Sequence, residues 1–209
     1  MAPKYILTYF PLGGRAECAR LMFHAAGVEF EDVQHTFAHW GTIKNDVDQF
    51  PLAQLPKLEV DGHTIIHSGA IYRYLAHEFG FYGACNKERS TVDQVCETLN
   101  DHFTNLIKIM FNKELSDEQK KKEYDEYFAS DQAKRYFNYL TKLLKTANDG
   151  KNFFLGEKIS LADFVFFAQH DMMKKAYEAY LDPYPELKAL VDRVGAVEAV
   201  KKHMESRKY

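Results

Sequence analysis

The pattern of apolar residues changes once along this 209-residue chain, near residue 80, and that change limits the fold more than any other feature. Before it, short strand-like runs alternate with helical ones. After it, helical spacing continues almost to the end. Tyr5 to Phe10 is rich in β-branched and aromatic residues and reads as a strand. Pro11-Leu12-Gly13-Gly14 breaks it. From Arg15 to Ala26, residues Cys18, Leu21, Met22, Ala25 and Ala26 fall on one helical face, and Gly27 is a natural stop. Val28 to Val33 reads as a second strand, so the chain opens β-α-β, as in a parallel pair joined by a right-handed crossover. A loop with one or two short helices is expected around Trp40 to Val47. Lys57 to Val60 and Thr64 to Ile66 then form a hairpin on Asp61-Gly62, a favoured pair for a tight turn. Ser68 is placed to cap a helix from Ala70 to Phe79, with Ile71, Tyr74, Leu75 and Phe79 on one face.

A βαβ unit followed by a ββα unit makes a four-stranded mixed sheet with helices packed on it. The expected fold class is therefore an α/β N-terminal thioredoxin-like domain followed by an all-α helical bundle domain. The first would span residues 1–79, a linker residues 80–83, and the helical domain residues 84–209. Helical spacing runs from Glu88 to Asn112, Ser116 to Phe128, Asp131 to Thr146, Ser160 to Ala179 and Tyr184 to His203, giving a bundle of five or six helices. Ser160-Leu161-Ala162-Asp163 reads as a capping-box variant, the serine oxygen capping the helix and Asp163 reaching back to the first amides.

Composition removes several classes of function. Hydrophobic residues make up 46% and aromatics 14%, which suits a packed globular chain. A net charge of −3 argues against nucleic acid as a partner. Lys120-Lys121-Lys122 is flanked by Asp117, Glu118 and Glu123 and reads as a solvated helix face. The opening MAPKYILTYFPLGG lacks the features of a signal peptide, and no stretch approaches the ~18 apolar residues of a membrane span. Cys18, Cys85 and Cys96 form no CxxC, which fits free thiols in a reducing cytoplasm. The histidines offer no metal set. His63 and His67, on one strand, would lie about 13 Å apart, and His35 and His39 lack a third ligand.

On such a sheet, chemistry sits at the loop after the first strand, where the next helix offers free amides. That loop, Tyr9 to Arg15, holds no cysteine or serine, which excludes a thioredoxin-type dithiol. Cys18 comes a turn too late and faces inward. The loop does offer Tyr9. A phenol with an ordinary pKa of about 10 donates a hydrogen bond at neutral pH, and could donate to the thiolate of a bound substrate. On position alone, Tyr9 could equally be a packing residue at a strand end. The proline at 56 and the Ser-Gly step at 68 likewise suit either a plain hairpin or a peptide-binding edge.

Leu7-Thr8-Tyr9-Phe10, Arg15-Ala16-Glu17, Trp40, Lys44, Leu55-Pro56-Lys57-Leu58, His67-Ser68-Gly69-Ala70-Ile71 and Ser160-Leu161-Ala162-Asp163-Phe164 occur in order and at the spacing of one family. The chain closely resembles the cytosolic glutathione transferases over nearly its whole length, and looks most like the sigma class and its nematode relatives, a group related to haematopoietic-type prostaglandin D synthases. The resemblance implies a cytoplasmic detoxification enzyme that conjugates reduced glutathione, its co-substrate, to small hydrophobic electrophiles, with peroxidase or prostaglandin isomerase side activity and no metal. It implies that Tyr9 stabilises the thiolate and that Arg15 tunes it. Pro56 would be cis, and Leu55 would pair its backbone with the cysteinyl part of glutathione. Ser68 and the amides beside it would hold the γ-glutamyl carboxylate. Trp40 and Lys44 would reach the glycine end, with Gln54 alongside. Family members are homodimers, so Asp93 would reach the γ-glutamyl amine in the partner's site.

His67 stands where the family usually has glutamine; it is kept as a ligand whose hydrogen bond depends on its tautomer. A tryptophan important in the vertebrate prostaglandin synthases is missing from Leu106 to Phe111. Phe10, Leu12 and Gly14, then Phe103, Met110 and Tyr209, are the electrophile-site candidates; for the last three the alternative is core packing or a frayed tail. Two other functions stay open: a carrier of haem-like or other planar ligands, and a structural protein akin to the lens crystallins of the same class.

Overall fold

The computed structural model describes residues 3–174 and 176–209. These form two compact units, one holding the described residues up to Phe81 together with Val197–Tyr209, the other Tyr82–Ala196.

The first unit is built on a four-stranded sheet in the order β2-β1-β3-β4, formed by β1 (Tyr5–Tyr9), β2 (Glu31–Gln34), β3 (Lys57–Val60) and β4 (His63–Ile66). β2 is parallel to β1; β3 is antiparallel to both β1 and β4. The expected second strand from Val28 starts later. Phe30 instead stacks on Phe23, with ring centroids 4.3 Å apart. The helices are α1 (Glu17–Ala26), α2 (Phe37–Ile43) and α3 (Ser68–Glu78), with α9 (Glu198–Ser206) at the far end of the sequence. The Gly14–Ala16 turn is a short 3-10 segment, so the regular helix begins two residues after the expected Arg15. Gly27 ends α1 in the left-handed region, φ 66, its N–H returned to His24 and Phe23 carbonyls. Asp61 and Gly62 both have positive φ, the type I′ geometry that matches the twist of paired strands.

Leu7, Leu21, Met22, Phe23, Leu58, Ile71 and Leu75 are fully buried, each burial worth roughly 1.5–3 kcal/mol. Tyr5 packs edge-on against Phe23 and Phe79 at 5.2 and 5.9 Å. Two expectations need correction. His67 lies beyond β4 and not on it, so the shared strand face with His63 does not exist. Ser68 is the first residue of α3 and not its cap; His67 occupies the cap position at φ 67, a left-handed backbone for a residue with a Cβ.

In the second unit α4 (Asn86–Met110), α5 (Asp117–Ala129), α6 (Asp131–Thr146), α7 (Leu161–Lys174) and α8 (Pro185–Gly195) form the bundle. Val92, Val95, Leu99, Phe103, Leu106 and Ile109 recur every three or four residues along α4 and are buried. Ser116 makes a full capping box with Gln119. The span read as one helix from Ser160 to Ala179 ends at Lys174; Lys175 lies outside the described residues, as do Met1 and Ala2 of the 1–79 span. The span from Tyr184 to His203 is two helices, because Gly195-Ala196-Val197 leaves helical geometry at Val197, φ −62 and ψ 120. The second of these, α9, packs on α1. The helical unit therefore stops at Ala196 rather than at residue 209.

Asp163 does reach back, accepting from Ser160 N–H at 2.8 Å and from Phe154 N–H at 3.0 Å. The serine half differs from the expectation: the Ser160 hydroxyl donates to Asp163 at 2.7 Å, a bond that ties the loop before α7 to its first turn. Asp163 is fully buried, so its removal orphans three donors. Asp163→Ala should lower unfolding free energy by about 3 kcal/mol or more, and Ser160→Ala by about 1 kcal/mol, read from denaturant midpoints.

Glu17, 1% exposed, receives His203 Nε2 at 3.1 Å, Arg207 Nη1 at 2.7 Å and the Tyr209 hydroxyl at 2.7 Å. Burial pushes its carboxyl up, but those hydrogen bonds and the His203 and Arg207 charges outweigh it and hold it at about 2, against 4.5 for an ordinary glutamate. A carboxyl depressed in the folded state stabilises above its unfolded pKa and loses that stabilisation as pH falls through the folded one. Glu17→Gln should therefore be less stable than the parent protein by about 3 kcal/mol at neutral pH. In acid titrations the gap should close as pH falls from 4.5 to 2.

Candidate functional site

Sheet register gathers the candidate residues. Thr8 pairs with Lys57, and Lys57 with Ile66. Tyr9 follows Thr8, Pro56 precedes Lys57 and His67 follows Ile66, so all three leave the paired strands at the same end of the sheet. β1 and β2 run parallel, with Tyr9 beside Gln34, so the loop carrying α2 leaves from this edge too. Thus Tyr9, Leu55-Pro56, His67-Ser68 and the Trp40–Lys44 segment share one end of the sheet, although up to 59 positions separate them in sequence. The Leu55–Pro56 bond is cis.

Tyr9 is 7% exposed. Its Oη accepts from the Arg15 main-chain N–H at 3.1 Å. Burial raises the phenol above its ordinary pKa, opposed by that amide bond and by the Arg15 and Arg20 charges. Tyr9 is therefore protonated at neutral pH, and with Arg15 taken as a donor its own proton is left to give. Gly14 makes this geometry possible. Its φ is +47, and a Cβ there would lie 2.8 Å from Tyr9 Oη and 2.7 Å from Leu12 Cδ1.

The Arg15 guanidinium extends to Ser68, with Nη1 3.5 Å from Oγ. Ser68 opens α3, whose first amides have no acceptor within the helix and carry the positive end of its dipole. Tyr72 completes the group: its hydroxyl donates to the Arg15 carbonyl, and Ser68 is hydrogen-bonded to it. Burial drives the Tyr72 phenol well above its ordinary pKa. Sequence reasoning missed Tyr72, yet it lies four residues after Ser68, on the same face of α3.

Phe10 joins this centre to α2, its ring 5.2 Å from Tyr9, 6.1 Å from Trp40 and stacked on Phe37 at 4.4 Å. Trp40 also meets Phe50 edge-on at 4.9 Å. Lys44 ends α2 and is exposed, as are Gln54 and His67. Cys18 is 1% exposed, in keeping with its inward position. Tyr209 is no frayed tail: its hydroxyl is committed to Glu17. In the helical unit Asp93 accepts from the Tyr82 hydroxyl at 2.7 Å. Phe103 is 5% exposed within the α4 core, while Met110 lines a groove with Tyr124 and Tyr177. Among the described residues no group of three or more His, Cys, Asp or Glu could hold a metal, and no helix is long and apolar enough to cross a membrane.

The arrangement offers a neutral phenol as donor, a guanidinium beside it, a helix start suited to a carboxylate, and an aromatic flank. The family model for the glutathione S-transferase N-terminal domain matches residues 6–77, and that for the C-terminal domain matches residues 100–207. A glutathione S-transferase of Dirofilaria immitis is 35% identical over 98% of this chain and 93% of its own. S-crystallin 4 of Enteroctopus dofleini is 33% identical over 92% and 91%. The haematopoietic prostaglandin D synthase of Gallus gallus is 33% identical over 98% and 97%. Among solved structures, a Pi-class glutathione S-transferase of Onchocerca volvulus superposes with a TM-score of 0.87 at 31% identity, covering 98% of this chain and 93% of that one. A glutathione S-transferase of Necator americanus, described as monomeric, gives 0.86 at 30% identity over 99% and 98%. With both halves of the chain matched and full-length relatives above 30% identity, the chain belongs to the glutathione S-transferase family.

Proposed function

We propose that the protein is a working glutathione transferase in which the Tyr9 hydroxyl donates a hydrogen bond to the sulfur of bound glutathione and favours its thiolate. One observation carries this reading: the Arg15 N–H occupies the phenol oxygen as a donor, so the phenol proton is free for an anion. A charge-assisted hydrogen bond is worth roughly 1.5–3 kcal/mol, which is about one to two pKa units on a thiol. The Arg15 guanidinium, which reaches Ser68, adds a positive charge that acts on the same phenol. The γ-glutamyl carboxylate binds at Ser68 and the first amides of α3, and Leu55 pairs with the cysteinyl backbone beside the cis bond. Trp40 and Lys44 hold the glycine end, Gln54 lies beside the peptide, and His67, next to Ser68, donates a hydrogen bond to a glutathione carboxylate in the suitable tautomer. The thiolate then attacks an electrophilic carbon, its sulfur forming the new bond as the leaving group departs with its electron pair. Phe10 and Leu12, with Gly14 packed between Leu12 and Tyr9, bound the electrophile on this side, and their apolar character supports broad specificity for small hydrophobic electrophiles.

The finer assignments belong to the same reading: a glutathione-binding domain over 1–79, a cytoplasmic sigma-class enzyme of detoxification, and a homodimer in which Asp93 serves the partner's γ-glutamyl amine. The similarity to an S-crystallin supports a second reading, a structural protein without turnover. The intact Tyr9–Arg15–Ser68 group favours the first.

With a chloronitroaromatic electrophile, Tyr9→Phe should retain glutathione binding and lose about 10- to 100-fold in rate. A parent protein that is retained on immobilised glutathione yet inert would instead match the structural reading. Gly14→Ala should be worse folded by about 1 kcal/mol or more, from the positive φ alone, and should also lose activity through contact with Tyr9, measured by thermal unfolding and kcat/KM.

A further inference from the structure

The loop that carries the site is held from beneath by charged groups that no step of the reaction uses. Arg20, on α1, is 1% exposed. Its Nη1 donates to the Leu12 carbonyl at 2.8 Å and its Nη2 to the Phe10 carbonyl at 3.5 Å. The same guanidinium meets Asp32 on β2 at 3.0 and 3.2 Å, and Glu17 lies 3.6 Å from it. Glu17 also sits under Gly13, where a Cβ would come within 3.3 Å of its Oε2. The other side of the Glu17 carboxylate is filled from α9 and the residues after it, by His203, Arg207 and Tyr209. His24 stacks on His203 at 4.4 Å, and Arg20 lies over the Tyr209 ring at 4.8 Å. A buried charge cluster of this kind needs every partner in place, since losing one leaves the others desolvated and unpaired. The loop carbonyls of Phe10 and Leu12 are among those partners. They stand just after Tyr9 and just before the Gly14–Arg15 amide that bonds to it.

We propose that Arg20 and Glu17 are positioning residues: through them the segment from His203 to Tyr209 clasps the Phe10–Gly14 loop and fixes the Arg15 amide against the Tyr9 oxygen. The inference rests on the glutathione reading above, and extends it to side chains that touch neither substrate. Tyr209 is thereby assigned to the support of the loop, through Glu17. Arginine is required at 20 because its planar fork reaches two carbonyls and a carboxylate at once, which a lysine ammonium does not. Loosening the clasp leaves the phenol in place but lets its donor direction wander, so the thiol of bound glutathione ionises less readily.

The test uses the whole protein with Arg20→Lys, which keeps the charge and cuts the fork, and Tyr209→Phe, which keeps the ring and removes one donor to Glu17. Thermal unfolding, the KM for glutathione, kcat across pH, and the ultraviolet titration of the bound thiolate are measured for each. Arg20→Lys should raise the bound thiol pKa by about half to one unit and the KM about 3- to 10-fold. Its deficit in rate should shrink as pH rises past that pKa. Tyr209→Phe should move in the same direction by less, and decides the matter alone if Arg20→Lys does not fold. Variants that lose stability but keep the parent's thiol titration and KM, or lose rate equally at every pH, would overturn the proposal and leave the site reading intact. A parent protein whose bound thiol titrates like free glutathione would overturn the site reading and the proposal with it.

Discussion

The central strand pair β1 and β3 sets where everything else can be. Because Thr8 faces Lys57 and Lys57 faces Ile66, the residues that follow or precede them end on one edge of the sheet. A one-residue slip in either pairing would turn every alternate side chain to the other face. It would take Leu7 and Leu58 out of the core and Tyr9 away from Pro56. The fully buried Leu7, Leu58, Ile71 and Leu75 oppose that slip with several kcal/mol of burial. The register that satisfies the core is thus the register that assembles the site.

At that edge the local chemistry follows from a shortage of space. Gly14 lets the chain turn within van der Waals reach of Tyr9, and the turn delivers an amide to the phenol oxygen. Burial keeps the phenol protonated, and Arg15 keeps the surroundings positive. These conditions suit a hydrogen-bond donor for an anion better than a base. Beneath the turn, Arg20 bonds to the Phe10 and Leu12 carbonyls and Glu17 to His203 of α9. Two helices far apart in sequence, α1 and α9, meet at this carboxylate and at the stacked His24 and His203 rings.

Much of the fold was legible from the residues. The Asp61-Gly62 turn, the breaks at Pro11 and Gly27 and the apolar spacing of α4 and α6 each report a local preference. The misreadings occurred where tertiary packing decided the outcome. Val28 and Phe30 look like strand residues, but Phe30 is taken by Phe23. The stretch from Tyr184 to His203 has continuous helical spacing, yet it is split where one part joins a different unit. Ser160 has the composition of a cap, but a buried carboxylate claims its hydroxyl. Of the site, Tyr9, Arg15 and Ser68 could be picked out by motif. Tyr72 and Arg20 could not, because their roles are defined by main-chain carbonyls, which a sequence does not display.

The most direct test of the account is a crystal structure of the protein with glutathione bound. In it the sulfur should lie within hydrogen-bond distance of Tyr9 Oη, the cysteinyl backbone should pair with Leu55, and the γ-glutamyl carboxylate should sit at Ser68 and the start of α3. Glutathione bound elsewhere, or bound here with its sulfur turned away from Tyr9, would contradict it.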